Sequence, residues 1–196
     1  MRSAAWIARW GHTFVSSFGF GALVFFSVTG ITLNHPDVFE TAEPVELEFS
    51  GSLEPSLLAV SDGGVEVQRL EIVEELRAEH GLRGRVTEFR IDDDEVSVVF
   101  AAPGYSADAW IDRTSGSFEG VTVTQGTWVL LNDLHKGRDS GAAWRWLIDV
   151  SAAILIVAGL SGIWLLWYVR KRRTNGLLVT VLGAALLPLV YVLYEL

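Results

Sequence analysis

"LLNDLHKGRDSGAAWRWLIDVSAAILIVAGLSGIWLL", residues 130–166, passes from a polar stretch that holds His135 into a long apolar run. The run, Trp144–Tyr168, is long enough to cross a hydrocarbon core about 30 Å thick, for which roughly 20 apolar residues suffice. Two other runs, Trp6–Thr32 and Leu177–Leu193, have the same character. Of the 196 residues, 50% are hydrophobic and they fall in these blocks, so the chain reads as an integral membrane protein rather than a soluble domain. The expected fold class is membrane α-helical, with three transmembrane helices and a small extracytoplasmic α+β domain between the first and the second.

The first run is too long for the core of a cleaved signal, and no A-x-A-like site precedes His35, so it reads as a retained helix. Basic residues near helix ends set the expected orientation. Arg2 and Arg9 lie at the start of the first helix, and Arg170, Lys171, Arg172 and Arg173 fill the short link between the second and third. Both places are expected on the cytoplasmic side, which puts residues 36–140 in the periplasm of a bacterial inner membrane. Trp6, Trp10, Trp144, Trp146, Trp164, Trp167, Tyr191 and Tyr194 sit where aromatic rings anchor helix ends at the interfaces. The expected organisation is a transmembrane helix over 1–35, an outer domain over 36–128, an interfacial segment with the second transmembrane helix over 129–175, and the third helix over 176–196.

The outer segment carries most of the chain's 24 acids, and the net charge is -9. That balance disfavours nucleic acid and anionic lipid and suits either a cationic partner or plain solubility. Cysteine is absent, which excludes disulfides, thiolate nucleophiles and thiolate metal sites, so any redox chemistry needs a bound cofactor. Pro36 should end the first helix and leave His35 at its rim. "PVELEFSG", residues 44–51, alternates like a strand. Val67, Leu70, Val73 and Leu76 have helical spacing ahead of a stop at Gly81. Residues 85–124 read as a meander of antiparallel strands broken at Asp92–Asp94, Pro103-Gly104 and Thr114–Gly116. "TWVLLNDLHKG", residues 127–137, reads as a short interfacial helix. Gly19, Gly21, Gly30, Gly159 and Gly162 allow close helix contacts or room for a flat cofactor, and Pro188 should kink the third helix.

There are four histidines, His12, His35, His80 and His135. His80 ends a charged helix and reads as a solvated residue suited to a helix C-terminus. The other three lie in or beside membrane helices, where an ionisable side chain is costly to bury. The expected topology places His35 and His135 at the same outer face. Neutral imidazole is a ligand for iron, copper or zinc, and two imidazoles from adjacent helix ends can hold a haem iron. A zinc site would have to recruit Asp37, Asp133 or Asp139, and interfacial histidines can equally be spent on hydrogen bonds to carbonyls. No HExxH or G-x-S-x-G is present, and the serines lack His/Asp company, so a hydrolase is not expected.

"LNHPD" (33–37), "PGYSADAWIDRTSG" (103–116) and above all residues 130–166 resemble the PepSY-associated transmembrane family, in its compact form with one outer PepSY-like domain. The resemblance covers most of residues 8–175, and the motif around His135 is its most specific part. It implies haem b held by membrane histidines, matched here by His12, His35 and His135. It further implies electron transfer across the inner membrane to ferric siderophores or other periplasmic acceptors, with the possibility of a haem-dependent membrane reductase. Arg138, Arg145 and Lys136 would suit haem propionates. Asp149 would neutralise Arg145 or orient an imidazole. His12 and His35 are 23 residues apart, about 34 Å along a helix, so they cannot share an iron. A haem at His12 then needs His12 of another subunit, a partner protein or a different ligand, most simply a homodimer. The alternative is a non-redox, membrane-anchored PepSY module that binds or restrains a partner.

Overall fold

The computed structural model describes residues 4–58 and 67–194. Among the described residues, three helices are long and apolar enough to cross a membrane: Trp6–Asn34, Ala142–Tyr168 and Arg173–Tyr194, with mean hydropathies of 1.8, 2.1 and 2.4. They correspond to α1 (Ala4–Asn34), α5 (Ala142–Leu165, extended by a 3-10 turn to Tyr168) and α6 (Arg173–Tyr194). Neither α5 nor α6 has a buried residue, the state expected of helices whose solvent is lipid. Arg173, expected in the link, opens α6 and lies over the Trp167 ring at 5.1 Å. Pro188 falls inside α6, which continues past it.

The chain divides into two compact units, one of residues 1–26 with 146–196 and the other of residues 27–145. In the first, Gly19 faces Ile154 and Leu155, where an added Cβ would lie 3.1 and 3.3 Å from their side chains. Gly162 does the same against His12 at 3.2 Å. Gly21 and Gly159 have nothing within 4 Å and carry no such contact.

The second unit holds an antiparallel five-stranded sheet of β1 (Val45–Ser52), β2 (Arg85–Ile91), β3 (Glu95–Ala102), β4 (Tyr105–Asp112) and β5 (Ser117–Thr124), in the order β1-β5-β4-β3-β2. Strand alternation sends Val96, Val98 and Phe100 of β3, Ala107, Ala109 and Ile111 of β4 and Phe118 of β5 to one face. There they meet α3 (Arg69–His80), forming a core with Ile72, Val73 and Leu76. The helix stops where expected, at Gly81 with φ 65°. Its buried stripe differs from the expected one: Leu70 is 68% exposed, Ile72 is fully buried, and Val67, also buried, precedes the helix. The stripe therefore runs Ile72, Val73, Leu76, a spacing that shares one helical face.

The chain enters this unit through the last turns of α1. Pro36 occupies the first position of the short helix α2 (Pro36–Phe39), so His35 sits between the two helices. The unit ends in α4 (Thr127–Lys136), whose Trp128 ring packs edge-on against Phe39 of α2 at 5.2 Å.

Candidate functional site

Two short helical segments meet in a ladder of polar contacts. Thr29 and Thr32 lie three residues apart on α1, and Asn132 and His135 lie three apart on α4, so each pair projects from one face of its helix. Thr29 Oγ1 is 2.6 Å from His135 Nδ1. Thr32 Oγ1 donates to Asn132 Oδ1 at 2.6 Å, and Asn132 Nδ2 donates to Glu40 Oε1 at 2.7 Å. Thr29, Thr32 and Asn132 are at most 2% exposed. Polar side chains that deep are retained only when paired, because an unpaired buried polar group costs about 1–3 kcal/mol. A Cβ at Gly30 would lie 3.8 Å from His135 Cε1, an ordinary van der Waals contact, so the approach of α4 does not depend on glycine at that position.

The position of α4 follows from its own ends. Gly126 precedes it in an extended conformation, and Gly137 closes it with φ 68°. The Trp144 indole N–H caps the Leu134 carbonyl at 2.8 Å, and Asp133 Oδ2 accepts the Gly104 N–H at 3.1 Å, tying the Pro103-Gly104 turn to the helix. Burial, with a smaller push from the Lys136 charge, lowers the pKa of the His135 imidazole below its usual value near 6.5 and so favours the neutral ring.

His12 has a comparable setting in the other unit. Its Nδ1 is 2.8 Å from Ser161 Oγ, with Ser16 Oγ next at 3.4 Å. Ser161 gives its own proton to the Ala158 carbonyl at 3.0 Å. With that proton engaged, Ser161 Oγ can accept from His12 in the tautomer that carries its hydrogen on Nδ1.

The remaining sequence candidates are placed differently. His35 is exposed, and its part is played by the backbone: its carbonyl accepts from Val38 and Phe39 at 3.1 and 3.3 Å, without a side-chain cap. Thr29, rather than a second histidine, is the partner seen at His135 Nδ1. Arg138 is 61% exposed and 3.8 Å from Asp133. Arg145 is exposed, as is Asp149, and among the described residues neither has an ion pair, so their expected mutual neutralisation is not seen. Asp139 is engaged by Arg85 at 3.1 Å. No cluster of three metal-capable side chains occurs among the described residues. His80, expected to be solvated, is instead packed between the Phe49 and Phe118 rings at 4.8 and 5.3 Å, with its side chain 17% exposed.

The profile of the PepSY_TM-like family matches residues 4–195, which takes in every helix and strand described above. The chain belongs to the PepSY_TM-like family. No curated protein and no solved structure matches it.

Within this PepSY_TM-like chain, His135 and His12 are the side chains that could hold a metal or a cofactor. A ligating histidine is neutral and has its other nitrogen fixed by a hydrogen bond, which settles tautomer and ring orientation. His135 meets both conditions through burial and Thr29, and His12 meets the second through Ser161. Thr29, Thr32, Asn132, Glu40 and Ser161 did not stand out in the sequence. The available signal was the matched spacing of T-x-x-T at 29–32 and N-x-x-H at 132–135.

Proposed function

We propose that this PepSY_TM-like protein is a bacterial inner-membrane haem b protein that passes electrons toward a periplasmic acceptor, with ferric siderophores as the candidate substrate class. The observation that carries the proposal is the 2.6 Å contact between Thr29 Oγ1 and His135 Nδ1, at a ring whose neutral form burial favours. Ligation would fall to His135 Nε2, with Nδ1–H donating to Thr29. A bound haem b supplies one-electron chemistry. His35, at the joint between α1 and α2, would be the second histidine to hold the haem, and Arg138 and Arg145 would pair with its propionates.

With Nδ1 against Ser161, His12 Nε2, which lies 3.5 Å from Ser16 Oγ, would be its ligating nitrogen for a second haem, one shared with His12 of another copy in a homodimer. The basic residues at 170–173 favour a cytoplasmic link between α5 and α6 and hence a periplasmic sheet domain.

Spectroscopy of the protein purified from haem-replete cells tests the proposal. The expected result is a low-spin b-type spectrum that His135→Ala abolishes and that His35→Ala converts to a five-coordinate form. Haem-free protein, or a spectrum that both variants leave unchanged, would overturn it. A non-redox module then becomes the reading, supported by the exposed, acidic face of the sheet.

A further inference from the structure

Among the described residues, no element covers the face of the sheet turned away from α3. Its residues follow from the register. One row crosses all five strands as Glu48, Val121, Asp108, Val99 and Glu88, and the next as Ser50, Glu119, Trp110, Ser97 and Arg90. With strands about 4.8 Å apart, the carboxylates of the first row recur about every 10 Å, separated by valines. Glu48, Ser50, Trp110, Glu119 and Val121 line an open concavity of about 730 Å³, and the Trp110 ring is 40% exposed within it.

Two further observations indicate what this face would hold. Among the described residues, Glu48, Glu88, Asp108 and Glu119 have no ion pair, while the one guanidinium in these rows, Arg90, is 3.4 Å from Asp92. The Asp108 carboxyl is also pushed above its usual value, by burial first and then by the Glu88 charge, as expected where like charges face one another uncompensated. An exposed indole flanked by carboxylates is complementary to a planar cation, which stacks on the ring while its N–H groups reach the acids. Anionic lipid and nucleic acid carry the wrong charge for such a face.

We propose that this sheet face docks a basic segment of a partner protein, with an arginine of that segment stacked on Trp110 and paired with Glu48 and Glu119. The surface is independent of the haem reading, since it lies on the sheet and involves neither His135 nor its partners.

Titration calorimetry on the full chain in phosphatidylcholine nanodiscs tests it, using a synthetic ten-residue peptide of alternating Arg and Thr and a matched Glu/Thr peptide. The Arg peptide should bind and weaken steeply with salt, and the Glu peptide should not bind. Trp110→Ala should weaken the Arg peptide by about fivefold, the loss of one cation–π contact. The Glu48→Gln/Glu119→Gln pair should weaken it by about tenfold and flatten the salt dependence. All are surface substitutions, and near-UV circular dichroism verifies folding. Absence of binding, equal binding of the Glu peptide, or indifference to both variants would refute the proposal. So would spermidine that binds as tightly and with the same sensitivity to the variants, because the face would then be a site for small cations.

Discussion

Replacing Thr29 by valine keeps the shape of the side chain and its β-branching and removes only the hydroxyl at 2.6 Å from His135 Nδ1. The site is 2% exposed at Thr29, so water does not readily take the vacated place. An abandoned buried partner costs about 1–3 kcal/mol, which at about 5 °C per kcal/mol lowers the melting temperature of a domain this size by roughly 5–15 °C. Near-UV circular dichroism of the full chain in detergent reads the loss. Thr29→Ser, which retains the hydroxyl, should stay near wild type. Valine alone does not prove the pairing, so the cycle with His135→Leu is the decisive arm: residues in direct contact couple by more than about 0.5 kcal/mol. Thr29→Val and His135→Leu effects that simply add would refute the ladder. In haem-loaded protein the same Thr29→Val change should shift the iron's electron paramagnetic signal, since the ring loses the contact that fixes its orientation.

Three other outcomes are expected. Because the folded pKa of His135 lies below its unfolded value of about 6.5, the unfolded chain takes up that proton first; stability from this group is present above about pH 6.5 and is lost as pH falls through the folded value. A pH series of melts should show a loss that His135→Gln removes. Gly162→Ala should destabilise in detergent, because its Cβ would lie 3.2 Å from His12 Cε1, whereas Gly159→Ala, with nothing within 4 Å, should be neutral or slightly stabilising. Gly116→Ala should cost more than about 1 kcal/mol in a thermal melt, since φ is 75° and a Cβ would come 2.6 Å from the Leu53 carbonyl oxygen.

Features that depend on neighbours in sequence were the legible ones. The three spanning helices follow from composition, the end of α1 from Pro36, the end of α3 from Gly81, and the β3–β4 turn from Pro103-Gly104. The α3 stripe was misassigned because Val67 fits a period of three with Leu70, yet the helix begins only at Arg69, and the tertiary core selects Ile72. Of the candidate site, the histidines were visible as costly residues beside apolar runs. Their partners were not, because Thr29 and Thr32 are ordinary in an apolar helix until a segment a hundred residues later is known to lie against them. His80 was misread for the same reason: Phe49 and Phe118 reach it only through the pairing of β1 with β5.

That pairing has a consequence for engineering. Val45, the first residue of the sheet, is registered against Thr124, its last, so their Cα atoms are about 5 Å apart. The 78 residues between them make a round trip that departs and returns at one spot, and the flanking helices α2 and α4 need only two adjacent attachment points. The sheet is thus a cassette, and another soluble domain whose ends emerge side by side could be spliced between Pro44 and Gln125 without stretching either junction.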